Sequence, residues 1–398
     1  MKPLLVTFAC AALAAAQPVV IRTTTILDGK GGILRNQDLT IENGKITRIG
    51  PASRKPDIDL SGLTVTPGWI DTHTHPGWIF NAEGRYDPGG RNSKTTPAEA
   101  ALRTEGNLYA TLMGGFTTIQ SLGQPIDGPA RDLIAARLIP GPRLLTSLRT
   151  ISENTGTPEQ IREFVRKMKA DGSDVVKLFA TASIRDGGKM TMTREQIEAA
   201  CGEAKAVGLR SAVHAHASDG ARASIEAGCT SIEHGTFLDD ATLDMMAQHG
   251  TYFDPNFLVL HNYLENKSKF LGIGNYTEEG FAAMEKDLPL VADVYKRARA
   301  HHVKIVLGTD AVAGSHGRNA EEFIYRVKDG GDKPMDALIT GTSMAAESLG
   351  LGNRIGTIAV GMDADVVAVQ GNLLDDVTSV RHVAFVMKGG VVYKNTGK

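Results

Sequence analysis

Val65-Thr66-Pro67-Gly68-Trp69-Ile70-Asp71-Thr72-His73-Thr74-His75 is a mostly apolar, strand-like run that ends in two histidines two residues apart. Alternate residues of a β-strand face the same side, so His73 and His75 present two imidazoles at the strand's end. That is half of a metal site. Taken alone, such a pair also describes two hydrogen-bonded histidines with no metal role, and the rest of the chain has to supply the missing ligands.

Outward from this run, residues 64 to about 347 alternate short apolar strands with amphipathic helices, the pattern of βα units on a parallel sheet. The predicted strands are Trp69 to His75, Phe116 to Leu122, Pro142 to Ser147, Asp174 to Thr181, Arg210 to His216, Thr230 to His234, Tyr252 to Leu260 and Lys304 to Asp310. Thr157-Pro158-Glu159-Gln160 reads as a capping box with proline at the first helical position. Ile161, Phe164, Val165 and Met168 follow as an apolar stripe, and Gly172 ends the helix. Thr193 to Gln196 repeats the device, with Ile197, Ala200, Cys201 and Ala204 as the stripe. Eight such units in about 290 residues predict an α/β chain folded as a (β/α)8 TIM barrel, with an open doubly wound sheet as the competitor.

The flanks have another texture. Residues 18–63 and the C-terminal stretches 364–369, 383–387 and 391–393 read as short alternating strands broken by glycine turns. Neither flank can bury its apolar face alone, which predicts a small β-sandwich built from both chain ends. The expected organisation is a signal peptide over 1–16, sandwich over 17–63, barrel over 64–350 and sandwich again over 351–398. The signal peptide rests on Lys2, the apolar run Leu4 to Leu13 and the small residues Ala14-Ala15-Ala16. It implies a secreted or periplasmic protein.

With 398 residues, 42% of them hydrophobic and 22% charged, the chain is long enough for a large core, and disorder is excluded. A formal net charge of -2 gives no electrostatic argument for nucleic acid or an anionic membrane. A small-molecule or dipeptide-like substrate is the expected partner, and a homo-oligomer is left open. Cys201 and Cys229, the two cysteines beyond the signal segment, read as small core residues and not as a disulfide framework.

Active sites of such barrels form where the strands end in the chain direction. The first strand ends in His73 and His75, and the fourth carries Lys177 inside an otherwise apolar run. The fifth ends in His214-Ala215-His216, the sixth in Glu233-His234-Gly235, and the eighth in Thr309-Asp310. Each has a bland explanation singly, from a snorkelling lysine to a turn-capping aspartate. Chance placement of every ligand type at the same end of successive strands is the harder reading.

These residues, with Thr66-Pro67-Gly68-Trp69-Ile70-Asp71 and the tail Gly356-Thr357-Ile358-Ala359-Val360-Gly361-Met362-Asp363-Ala364-Asp365, resemble the metal-dependent amidohydrolase superfamily. Val213-His214-Ala215-His216, Ser231-Ile232-Glu233-His234-Gly235 and Leu307-Gly308-Thr309-Asp310-Ala311 are similar to its imidazolonepropionase-like branch, which includes Xaa-Pro and Xaa-Arg/Lys dipeptidases and ochratoxin amidases. The resemblance implies two divalent ions, zinc or a similar borderline metal, bridged by an N6-carboxylated Lys177. His73, His75 and Asp310 would hold one ion, and His214 and His234 the other. His214 is preferred over His216 because it lies 20 positions before His234, as in the branch. It also implies hydrolysis of an amide, dipeptide or cyclic amide bond by a metal-bridging hydroxide, with Asp310 as the catalytic proton carrier. Such a hydroxide also suits an ester, a lactone or an organophosphate, and a metal-binding protein without catalysis is the remaining alternative.

The physical chemistry agrees with the bridge. Two neighbouring cations repel and need an anion between them, while an apolar strand disfavours the ammonium form of Lys177. The substrate-reading residues are expected to be His216, His261 after the seventh strand, and His316 in the loop after the eighth. The chain departs from the branch at Ala180-Thr181-Ala182-Ser183, where relatives carry Thr-Gly-Gly. It departs again at Ile151-Ser152-Glu153-Asn154-Thr155-Gly156, where relatives carry a longer loop with a His-Gly element.

Overall fold

The computed structural model describes residues 17–89 and 93–396. The signal-peptide expectation falls on residues 1–16, outside the described residues.

Both chain ends meet in one continuous sheet of seven strands, in the order Val391–Asn395, Val383–Lys388, Val366–Gln370, Ile58–Pro67, Val19–Leu27, Ile33–Glu42 and Lys45–Gly50. Its own core contains Ile21, Leu39, Ile46, Val65, Val366 and Phe385. Thus the apolar faces that neither end could cover alone are covered jointly, as their alternation requires.

The chain between them supplies parallel strands separated by helices. Trp69–Thr74, Phe116–Ser121 and Arg143–Thr146 form one parallel group, and Thr150–Ile151, Val175–Phe179, Arg210–Ala217, Ser231–Phe237 and Tyr252–Asp254 form another. Single hydrogen bonds join them: the Asp174 N–H donates to the Thr146 carbonyl at 2.8 Å. On the other side, residues 304–311 run between Phe253 and the first strand. Phe253 N–H donates to Lys304 O at 2.8 Å, and Thr72 and His75 N–H donate to Leu307 and Ala311 O at 2.9 and 2.8 Å.

The expected eighth strand is therefore present as an extended segment and not as a regular ladder. Two buried carboxylates explain this. Asp254 accepts the Gly308 N–H at 2.8 Å and Asp71 accepts the Thr309 N–H at 3.0 Å, so side chains take the place of backbone acceptors. A Cβ at residue 308 would lie 1.7 Å from the Asp254 carboxylate, which fixes glycine there.

The seventh strand is shorter than expected. It ends at Asp254, and Phe257–Glu265 is a helix instead of the strand's continuation to Leu260. Pro255 interrupts the ladder and Asn256, at φ 55°, turns the chain. The Glu322 carboxylate then accepts the N–H groups of Phe257 and Leu258 at 3.3 and 2.8 Å, satisfying the new helix's first donors. An apolar run such as Phe257-Leu258-Val259-Leu260 fits a buried strand or a buried helix equally well.

The two capping boxes are formed, and Pro158–Ala170 and Arg194–Ala206 bury Ile161, Val165, Met168, Ile197, Ala200, Cys201 and Ala204. The cysteines need a correction: Cys201 and Cys229 are buried as expected but are disulfide-bonded, with Cα atoms 5.2 Å apart. That distance lies within bonding reach. It arises because the helix carrying Cys201 packs on Ser218–Glu226, just ahead of Cys229, a tertiary proximity that spacing does not encode. No described helix is long and apolar enough to cross a membrane.

Candidate active site

A cavity of about 150 Å³ opens where the parallel strands end, and it is lined by His73, His75, Lys177, His214, His216, His234 and Asp310. All seven are buried. His73 and His75 approach Asp310 Oδ1 through their Nε2 atoms at 3.3 and 3.0 Å. Yet Asp310 Oδ1 has no well-angled hydrogen-bond partner, so three lone-pair-bearing atoms converge without satisfying one another. On the facing strands, one ring nitrogen from each of His214, His216 and His234 lies within 4.8 Å of the other two. Lys177 Nζ sits between the groups, 3.5 Å from His73 Nε2.

The outer contacts orient the rings. His73 Nδ1 lies 3.1 Å from the buried Glu233 carboxylate, which leaves Nε2 facing the cavity. His214 Nε2 lies 3.3 Å from the Ala182 carbonyl, which frees Nδ1. Metal-binding histidines characteristically donate their second ring N–H to a carboxylate or carbonyl; His214 is held in that way, while His73 Nδ1 lies close to Glu233 without a well-angled hydrogen bond. His216 Nδ1 instead lies 3.0 Å from the Thr236 hydroxyl. The indole of Trp78 stacks on His75 with ring centroids 4.2 Å apart.

Three residues at the site hold backbone conformations that side chains rarely adopt: His234 at φ 71°, Asn256 at φ 55° and Asp310 at φ 49°. Such strain persists only where the surroundings enforce it and gathers at functional sites. At His234 it breaks the strand's two-residue alternation, so Glu233 and His234 both face His73.

Burial shapes the charges. It pushes His73, His214 and His234 well below the usual histidine range and His216 down to about 3, so all four rings are neutral donors to a cation near pH 7. Burial likewise lowers Lys177, against the opposing pull of Glu233, Asp310 and Asp254. Burial raises Asp310, but His73, His75 and Lys177 outweigh it and hold the carboxyl below its ordinary value. Glu233 and Asp254 are both pushed up by burial, Asp254 far up with the Glu233 carboxylate beside it. Neutral imidazoles with one carboxylate form a donor set suited to zinc-like divalent ions.

Residues 64–394 match the profile of the amidohydrolase family. The chain belongs to that family. It is a metal-binding hydrolase of carbon–nitrogen bonds acting on small molecules, with a mixed α/β amidohydrolase fold. It is 24% identical to ochratoxinase of Aspergillus niger over 96% of this chain and 88% of that protein. It is 25% identical to imidazolonepropionase of Stenotrophomonas maltophilia over 85% of this chain and 87% of that one. A Xaa-Pro dipeptidase structure with methionine bound in its active site superposes with a TM-score of 0.85 at 29% identity, covering 95% of this chain and all of that one.

Of the three expected substrate contacts, only His216 lines the cavity, and it shares a cluster with His214 and His234. His261 lies outside the cavity lining and stacks face to face on Tyr325, with ring centroids 3.9 Å apart, because it falls on the helix that replaces the strand's end. His316 lies behind the first strand, against the backbone of His75, also outside the cavity. Its loop is structural: Asn319 Nδ2 donates to Asp71 at 2.8 Å and Arg318 pairs with Glu265 and Glu321. The sequence reading missed Trp78, Arg185, Asn256 and Tyr263 in the lining and Glu233 and Asp254 behind it. Glu233 adjoins a candidate ligand, a signal that strict alternation argues away.

His316 provides a pH test outside the cavity lining. Burial holds it at about 3, well under the unfolded value near 6.5. Between those values the unfolded chain binds the extra proton, so this histidine costs stability as pH falls below 6.5. Urea denaturation should therefore find the penalty of His316→Asn smaller by about 1.4 kcal/mol at pH 5.5 than at pH 7.5. An unchanged penalty would refute the buried neutral ring.

Proposed function

We propose that the chain is a binuclear amidohydrolase that cleaves the amide bond of a small dipeptide-like, N-acyl amino acid or cyclic amide substrate. The observation that carries this reading is the convergence of His73, His75 and Asp310 on one side of Lys177 and of His214 and His234 on the other, in one cavity. His73, His75 and Asp310 would hold one ion and His214 and His234 the other, with a carboxylated Lys177 as the anion between them. Zinc is the metal that fits best. His216, anchored on Thr236, lies in the same histidine cluster and would face the substrate. The architecture we infer is a closed (β/α)8 barrel over 64–350 beside a small β-sandwich from both ends.

Two divalent ions, when bound by these residues, would supply Lewis acidity and lower the pKa of a water toward neutral. The protein's own contribution is positional. Glu233 lies beside His73 Nδ1, and Trp78 restrains the His75 ring. Asp310, held ionised in the cavity lining, would accept the proton of the attacking water and return it to the departing amine nitrogen. The apolar wall of Val259, Leu260 and Val291 excludes water from the rest of the cavity.

The Cys201–Cys229 disulfide supports export to an oxidising compartment, in line with the apolar N-terminus. The functional reading is tested by assaying metal-loaded protein on N-acyl amino acids, dipeptides and cyclic amides beside aryl esters, lactones and phosphotriesters. Chelator-sensitive turnover with the highest kcat/KM on an amide is expected. A clear preference for an ester, lactone or phosphotriester would overturn it, and two bound metals without any hydrolysis would favour a non-catalytic metal-binding protein.

A further inference from the structure

The cavity's second cation lies in the loop where the chain departs from its branch. Arg185 belongs to the short helical turn Ile184–Asp186 after the fourth strand, and its side chain lines the cavity. The guanidinium lies over the Tyr276 ring, 4.1 Å from its centroid, and 5.5 Å from that of Tyr263. Its Nε lies 3.2 Å from Asn275 Oδ1, and Asn275 is held in turn by Asp186 at 2.7 Å. The aromatic faces and the single Nε contact fix the plane of the fork, as stacked arginines allow.

What this arginine lacks is an anion. Among the described residues no carboxylate lies within ion-pair distance of Arg185, whereas Arg318, Arg297 and Arg326 each have acidic partners. Among the described residues Asp310 is the single carboxylate in the cavity lining, and the proposed function commits it to the metal side. A preorganised guanidinium fork facing a cavity with no partner of its own is the geometry that takes a carboxylate with two parallel hydrogen bonds. The same lining includes Ile184, Val259, Leu260 and Val291, which offer an apolar surface.

We infer that Arg185 is the specificity-determining residue that binds the free carboxylate of an amide substrate whose scissile bond lies at the histidine cluster and whose apolar side chain packs between them. This deepens the amidohydrolase reading and rests on it for the position of the scissile bond. It sets the substrate class as carboxylate-bearing amides, acted on as a carboxypeptidase or N-acyl amino acid amidase would act, with neutral amides discriminated against.

The test is calorimetric binding to the metal-loaded protein with L-methionine and L-methioninol, which differ by a carboxylate against a hydroxymethyl group and cannot be hydrolysed. The intact protein should bind methionine about 10- to 100-fold more tightly, the range of a charge-assisted hydrogen-bond pair. In Arg185→Met that ratio should collapse toward one, and Arg185→Lys should keep part of it as a point charge without the fork. Equal or undetectable binding of both probes by the intact protein, or a ratio that survives Arg185→Met, overturns the inference. Hydrolysis is scored separately. Carboxylate-dependent binding without any turnover retains Arg185's role and rejects the functional reading, whereas indiscriminate turnover of neutral and anionic amides does the reverse.

Discussion

Asp310→Asn is expected to lower amide turnover by about 10²- to 10⁴-fold, the range of a positioned acid–base group, while the protein still binds metal. The substitution isolates proton transfer unusually well. Residue 310 sits at φ 49°, a conformation that asparagine tolerates better than most side chains, so the backbone should hold. The amide retains an oxygen near His73 and His75, now 3.3 and 3.0 Å from Asp310 Oδ1, but it cannot accept the water's proton. Steady-state kinetics beside metal analysis by mass spectrometry checks this. Undiminished turnover would remove Asp310 from the chemistry, and loss of the metal would reassign it to ligation alone.

Lys177→Ala is expected to have the other large effect, and a different one. Lys177 is fully buried beside His73, with Glu233, Asp254 and Asp310 as its charged surroundings. Removing it leaves those groups and the histidines without the bridging anion. Metal content should fall below two equivalents, and turnover should drop by more than about 100-fold, exceeding what loss of an outer partner costs. The vacated space should admit a small carboxylate, so added formate, acetate or propionate should recover part of both metal content and activity. A variant that keeps two metals and full activity would contradict the bridge.

How much of this was legible beforehand follows the physics of each signal. The parallel strands at 69–74, 175–179, 210–217 and 231–237 were readable because apolar runs between capped amphipathic helices leave little choice. The candidate ligands were readable for the same reason, since strand ends in βα units share one face. His261 was misplaced because Pro255 and Asn256 end the strand and Glu322, distant in sequence, caps a helix that the apolar run alone could not distinguish from a strand. Glu233 was passed over because the positive φ of His234 breaks the alternation on which the reading relied. Arg185 carried no periodic signal at all, since it depends on Tyr263, Asn275 and Tyr276 arriving from another part of the chain. The disulfide likewise depended on helix packing.

The proposed chemistry depends above all on a two-metal centre bridged by a carboxylated Lys177. Anomalous scattering at the metal's absorption edge, from crystals of protein grown with zinc and bicarbonate, tests it most directly. Two peaks about 3.5–4 Å apart are expected, one against His73, His75 and Asp310, the other against His214 and His234, with density extending from Lys177 Nζ between them. A single peak, or two peaks with an unmodified Lys177 side chain, would contradict it.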